Sequence, residues 1–433
     1  MKGLKAIIVL LAAVIFLDSC DIYEFKPKGS REKKLDKVLI LYQAGFNSLS
    51  GDLLGDIEEL KQGDIPAQGD DKVIVVVNHR TTAYRNYGIK TQPCVMRLYK
   101  DKKDQTILDT LTRLGEEELL TKKEVMAKCL NYIADNFKAD HYGLILESHG
   151  TGWLPAGYYA NPDKYKLSTA GGRQKTAPRV LFPEGPVPFV EPEPMPGPRV
   201  RTFGEEIRTE GSDKFSYEMD IKDLPSALPF HFDYILMDVC LMGCIEVAYE
   251  MKDCCDYLGF SPAEILSDGL RYAKMASRLL KNGDPDLKGV LDDYYDCYAA
   301  QQGDYQSACF TLVDCRQLEP LAQACKAAFE THRESISKVK PSTVQPLFRS
   351  SHHWFYDLED IVAKAGGETG AIRLALEKCV AYEVHTESFM PRSGGFHFKT
   401  YCGFSMYLPC NGSAYLDEFY KTLAWNKATS LVL

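Results

Sequence analysis

The chain has 433 residues, of which 45% are apolar and 26% charged, with a formal net charge of −9. This is ordinary globular composition, and it excludes wholesale disorder, a collagen-like repeat and a multi-span membrane protein. A mildly acidic chain without a basic stripe is not built to bind nucleic acid, so none is expected as a partner.

At the N-terminus, Lys2 and Lys5 flank and precede Ala6–Leu17, a run of twelve apolar residues. A bilayer span takes about 20, so the run has the length of a secretory leader instead. Leu17-Asp18-Ser19-Cys20 follows and resembles a bacterial lipoprotein signal. That resemblance implies a leader over 1–19, a lipid on Cys20 and a polar tether over 20–36. The mature protein would then be held at a membrane of the bacterial cell envelope, facing the periplasm or the cell exterior. An ordinary cleaved leader is the alternative. Setting Cys20 aside leaves 13 of the 14 cysteines, an odd number, so at least one thiol is free or pairs between chains. No CxxC pairs occur at zinc-ribbon spacing, and no metal site is expected.

Lys37–Tyr42 is a nearly continuous apolar run that ends in Gly45 and Asn47, as a buried parallel strand and its loop would. Asp52–Leu60 has helical spacing. Val73–Val77 reads as a second buried strand, and Val95–Tyr99, of mixed polarity, as an edge strand. Lys122–Phe137 is an amphipathic helix, followed by a strand at Tyr142–Leu146. Phe232–Met237 is the next buried strand, and Ile245–Met251 begins a helix after it. Strand and helix in alternation predict an α/β fold with a mostly parallel sheet covered on both faces. The interval Pro155–Pro198 breaks the pattern, holding ten of the 22 prolines. It predicts an exposed, extended insertion over 154–202, either a passive loop or a lid or processing segment. The catalytic unit is placed at 37–285. A second packing unit, over 286–433, carries a strand at Phe310–Val313, a helix at Leu318–His332, a strand at Gly403–Pro409 and a short helix at Ala414–Leu423.

Two strand ends carry the chemistry. One runs into Glu147-Ser148-His149-Gly150-Thr151-Gly152-Trp153, the other into Met237-Asp238-Val239-Cys240-Leu241-Met242-Gly243. Ligands of open parallel sheets bind at the carboxyl ends of strands. An imidazole beside a thiol favours the thiolate, which is the effective nucleophile. Gly150 has no side chain to block its N–H, which together with the Cys240 N–H would form an oxyanion hole. The structural alternative is that His149 and Cys240 are each ordinary strand-end core residues. Cys244, four residues on, reads as a small core residue in the following helix.

These segments resemble the clostripain family of bacterial cysteine peptidases, relatives of caspases, gingipains and legumains. The family places its histidine in an HG(S/T/G)GW segment, matched by His149–Trp153, and its nucleophile in D-A-C-L-M, matched by Asp238–Met242 with Val239 in place of alanine. Leu41–Asn47, Phe203-Gly204, Ile221–Leu228, Glu246–Lys252 and Gly403–Pro409 extend the likeness over most of 37–426. The resemblance implies a caspase-like α/β/α sandwich with a C-terminal α/β extension. It also implies a Cys240–His149 dyad and protein or peptide substrates cleaved after arginine or lysine. Asp238 shares a face with Cys240 in extended chain and is a candidate for reading the basic side chain. Asp268 in Ser261–Tyr272 matches the family's second acidic position, although Pro262, Leu266 and Leu270 depart from its pattern. Capping of a turn is the alternative role for both carboxylates. Self-cleavage between His149 and Cys240 is a further implication, with Lys164, Lys166, Arg173, Lys175, Arg179, Arg199 and Arg201 as basic candidates. The sequence requires no cofactor. Calcium enters only through relatives, and no EF-hand loop is present. His352-His353-Trp354 reads as core or surface, and Asn411-Gly412-Ser413 as a turn. Two other classes stand beside the peptidase: a non-catalytic surface lipoprotein using the fold as a binding module, and an amidase or transpeptidase using the same dyad.

Overall fold

The computed structural model describes residues 34–79, 92–165, 182, 185–190, 195–198, 206–350 and 353–433. The leader and Cys20, most of the tether, Phe203-Gly204, His352 and the cleavage candidates Lys166, Arg173, Lys175, Arg179, Arg199 and Arg201 lie outside these residues.

The first half of the chain builds β1 (Leu35–Gln43), α1 (Ser50–Leu60), β2 (Lys72–His79), β3 (Pro93–Lys100), β4 (Thr106–Arg113), α2 (Lys123–Asn136) and β5 (Ala139–Glu147). A small sheet follows, with β6 (Val187–Pro188), β7 (Glu206–Glu210) and β8 (Asp213–Tyr217) in the order β6-β8-β7. The chain then runs through α3 (Leu224–Ala227), β9 (Phe232–Asp238), α4 (Ile245–Glu250), β10 (Cys255–Phe260), α5 (Tyr272–Leu279), α6 (Leu287–Ala299), β11 (Cys309–Asp314) and α7 (Leu318–Ile336). The last part holds β12 (Tyr356–Asp357), α8 (Leu358–Lys364), α9 (Gly370–Cys379) and β13 (Val380–His385).

A nine-stranded sheet is the frame, in the order β13-β11-β10-β9-β5-β1-β2-β3-β4. Its middle, β10-β9-β5-β1-β2, is parallel, and its flanks are antiparallel. The apolar runs of the sequence form that middle because both sheet faces are covered: Lys37–Gln43 of β1 and Val73–His79 of β2 are buried at every position. The mixed polarity of β3 comes from pairing outside this parallel block, and β3 is not itself the edge. The edge is β4, whose residues are half-buried or exposed throughout, so its sequence carries no clear alternation. The last third adds to the central sheet, which β11 and β13 extend through β10, and builds only two-residue strand pairs besides. Of Gly403–Pro409, only Ser405-Met406 is strand, paired with β12. Among the described residues no helix is long and apolar enough to cross a membrane.

The described part of the proline-rich interval contributes β6, a two-residue strand at the edge of the small sheet, where proline's missing N–H costs no ladder bond. The interval returns to the core at β7. There Glu206 pairs with His79 at the end of β2, and Thr121 donates to it from its N–H at 3.0 Å and its hydroxyl at 3.2 Å. Burial works to raise the Glu206 carboxyl, but the His79 charge and these bonds outweigh it and hold the group below 4.5. A depressed carboxyl stabilises the fold above its unfolded pKa and loses that contribution as pH falls through the folded one. Glu206→Gln should therefore melt below the native chain at neutral pH, and the gap should close on acidification, as read by melting temperature against pH.

Candidate active site

The two functional strand ends are neighbours because β5 and β9 pair in parallel with Glu147 opposite Asp238. His149 and Cys240 each stand two residues past that pair, so they leave adjacent strands at the same level. Gly150 lets the two loops meet. A Cβ there would lie 2.3 Å from Val239 Cγ1 and 2.6 Å from the Cys240 carbonyl oxygen. Overpacking of this kind costs about 1–3 kcal/mol. Gly150→Ala should lower the melting temperature and the activity, and adding Val239→Ala should recover only part of either, because the carbonyl clash remains.

The turn after Cys240 is held from below. Leu241 takes φ of 63°, a left-handed conformation that a branched residue adopts only where neighbours enforce it. Leu241 N–H donates to the Ala263 carbonyl at 2.8 Å and Gly243 N–H to the Ser261 carbonyl at 2.7 Å. The Ile265 N–H donates to Cys240 Sγ at 3.0 Å, and the thiol lies 3.6 Å from the Ile265 carbonyl oxygen. Cys240 has no exposed surface and His149 is 4% exposed. A largely apolar cleft is lined by His149, Gly150, Met242, Ile221 and Leu224 among others.

His149 has a partner that sequence reasoning missed. Ser48, in the loop between β1 and α1, places its hydroxyl 3.2 Å from His149 Nε2. That loop is tied to the end of β5, because Ala44 N–H donates to the Glu147 carbonyl at 2.9 Å and the Ser148 hydroxyl donates to the Ala44 carbonyl at 2.6 Å. One neutral hydrogen bond contributes about 1 kcal/mol. If His149 is catalytic, Ser48→Ala should accordingly lower kcat/KM by roughly fivefold, as read by steady-state kinetics on one peptide.

Asp238 is fully buried and accepts at Oδ2 from the Leu270 N–H at 2.9 Å and the Tyr272 hydroxyl at 2.7 Å. Asp238 and Cys240 therefore both turn toward the 261–272 segment, as their spacing predicts. Asp268 lies two residues before Leu270, but its side chain is exposed on the turn, 3.5 Å from the Ser267 hydroxyl. Glu264 is a buried acidic group of the same segment, directly before Ile265, and the sequence reading did not single it out. Burial pushes its carboxyl up to about 7, and the Arg349 guanidinium, 2.9 Å away, opposes that rise. Cys244 sits just before α4, buried below Gly152 and Trp153, and burial pushes its thiol well up, which suits a core residue. Glu246 is likewise structural: burial raises it to about 7, against bonds from the Tyr420 hydroxyl and the Tyr407 N–H. His353 is buried and stacks on Tyr356 with centroids 4.3 Å apart. Among the described residues no group of three or more His, Cys, Asp or Glu is placed to hold a metal ion.

The model of the Clostripain family matches residues 41–164 and 205–425, which is well over half the chain. Clostripain of Hathewaya histolytica is 24% identical over 276 residues, covering 61% of this chain and 46% of that protein. The chain thus spans less than half the length of this curated relative. An inactive zymogen C11 protease from Parabacteroides distasonis superposes with a TM-score of 0.67 at 24% identity, over 92% of this chain and 99% of that one. A secreted C11 cysteine protease from Bacteroides thetaiotaomicron gives 0.68 at 21% identity, over 92% and 99%. These likenesses show a shared fold, the mixed α/β architecture with its large, mostly parallel sheet.

Proposed function

Because the chain belongs to the Clostripain family, we propose that it is a cysteine endopeptidase that cleaves after arginine or lysine through Cys240 and His149. One observation supports this most strongly: the register that sets Glu147 opposite Asp238 brings a histidine and a cysteine out of adjacent parallel strands at the same level. In this reading the Cys240 thiolate attacks the carbonyl carbon, and the N–H groups of Gly150 and Cys240 hold the oxyanion. His149 protonates the leaving amine, which departs and leaves a thioester on Cys240. His149 then takes a proton from water as its oxygen attacks the thioester, releasing the acid and restoring the thiol. Ser48 orients the imidazole through Nε2. Asp238 supplies negative charge two residues from the nucleophile, with Asp268 at the rim of the same segment.

Activation by self-cleavage between His149 and Cys240 belongs to the same proposal, since every basic candidate lies in the insertion. A single uncut band from fully active protein on a denaturing gel would sink it. Export to the envelope and a lipid on Cys20 are supported by the leader pattern, and mass spectrometry of the mature N-terminus tests them. The central experiment uses a soluble form beginning after Cys20 with fluorogenic peptides ending in arginine, lysine, aspartate, asparagine or alanine. Turnover after arginine or lysine that disappears in Cys240→Ala is the expected result. No turnover on any peptide, even after trypsin nicks the insertion, would favour a binding module instead.

A further inference from the structure

The strands that deliver His149 and Cys240 present two different faces. Asp238 and Cys240 turn toward the 261–272 segment, where Asp238 Oδ2 accepts from Leu270 and Tyr272 and Cys240 Sγ from the Ile265 N–H. Side chains alternate along a strand, so Met237 and Val239 turn to the other face. There Tyr42, Leu146 and Met237 stand in one row across β1, β5 and β9. This row lines the cleft beside His149, together with Met126 of α2, Leu224 of α3 and Ile221. The cleft encloses about 100 Å³, more than a single water needs. Gly150 sits where the dyad and the cleft meet: a Cβ there would fall 2.3 Å from Val239 Cγ1 and 3.1 Å from Met242 Cγ, two more of its lining residues. Glu218 and Asp220 also line it, and both are engaged. Glu218 Oε1 accepts from the Gly157 N–H at 3.1 Å and Asp220 Oδ1 from the Lys222 N–H at 2.9 Å.

We propose that this cleft is a second specificity subsite, which takes an apolar side chain from the residue that follows the cut bond. The inference rests on the Cys240–His149 peptidase reading. Consecutive side chains of an extended peptide point to opposite sides. A basic side chain held on the Asp238 face therefore sends its neighbours to the face of Leu146 and Met237. Two neighbours qualify, one on each side of the basic residue, and His149 decides between them. His149 protonates the leaving amine, and that amine belongs to the residue after the cut. The cleft is lined by Ser148–Gly152 of the histidine loop, and neither Cys240 nor the 261–272 segment lines it. Burial of an apolar side chain there stabilises the leaving-group side of the bound peptide. Glu218 and Asp220 repel an acidic side chain at the same place, whereas serine only forgoes the burial.

The test measures kcat/KM on internally quenched peptides that keep arginine before the cut and carry leucine, phenylalanine, serine or aspartate after it. Leucine should exceed serine by roughly tenfold, and aspartate should be the poorest. Two variants tie the preference to the cleft. Ile221→Phe fills it and should bring the leucine-to-serine ratio down to about one. Leu224→Ala widens it and should move the optimum from leucine to phenylalanine. Each readout is a ratio between two peptides on one preparation, so a loss of folded protein cancels. Equal rates on all four peptides overturn the subsite, and so does a leucine preference that both variants leave intact. Failure of the peptidase reading looks different: arginine peptides are then cut no faster than by Cys240→Ala, whatever follows the arginine.

Discussion

Replacing Cys240 by alanine should abolish peptide hydrolysis while leaving the fold in place. In the proposed mechanism the Cys240 sulfur carries the covalent step, so a loss of roughly 10⁴-fold or more in kcat/KM is expected. His149→Ala should cost a similar factor, because an unassisted thiol neither ionises readily nor protonates the leaving amine. The double variant should be no worse than either single one, since the two groups act as a unit. Folding is a separate question with a separate readout. Cys240→Ala strands the buried Ile265 N–H, which donates to the sulfur at 3.0 Å; because sulfur is a weak acceptor the loss falls at the low end of the range for a stranded donor, about 1 kcal/mol. Near-native melting together with abolished hydrolysis is the signature. Retained hydrolysis in a Cys240→Ala protein freed of contaminating peptidase would remove the dyad from consideration.

Asp238 should show two separable losses. Asp238→Ala strands the Leu270 N–H and the Tyr272 hydroxyl, both bonded to Oδ2 in a site with no exposure. Each buried donor left without its acceptor costs about 1–3 kcal/mol, so this variant should be among the least stable single changes in the protein. Asp238→Asn keeps the shape and an acceptor oxygen but removes the charge. If the carboxylate reads a basic side chain, kcat/KM for arginine and lysine peptides should fall roughly 10- to 100-fold, the worth of one charge-assisted bond, while peptides ending in neutral residues change little. Equal losses on both classes of peptide would assign Asp238 to the turn alone. Comparing the two variants by melting temperature and by peptide class separates the roles.

The positions of His149 and Cys240 were legible because strand ends announce themselves. A buried parallel strand is a solid apolar run, and the polar residues just after it stand at the sheet's carboxyl edge. What the sequence did not announce depends on tertiary closure. Ser48 is a short polar residue in a polar loop, and only the pairing of β1 with β5 turns it toward a histidine 101 residues away. Glu264 and Arg349 are separated by 85 residues, with no periodicity linking them. β4 escaped notice for a different reason: an edge strand with partial exposure at every position carries neither the alternation of a half-buried strand nor the apolar run of a buried one. Asp268 shows the converse limit. Its candidacy comes from a motif-like stretch alone, and in the structure it is exposed on a Ser-Asp-Gly turn with Gly269 at φ +59°, where no buried contact supports a role.

The β5–β9 seam has one more consequence. The strands run side by side from Gly143–Tyr234 to Glu147–Asp238 in the middle of the sheet, and the histidine and cysteine halves of the chain meet along that ladder. A nick within the insertion breaks one covalent bond and none of the β5–β9 pairings. The nicked protein should travel as a single species on a native column and part into two pieces only in denaturant. By the same logic the protein is divisible: two separately encoded fragments, ending and beginning within the insertion, should find each other through β5 and β9 and reconstitute the proposed hydrolysis, with neither fragment active by itself.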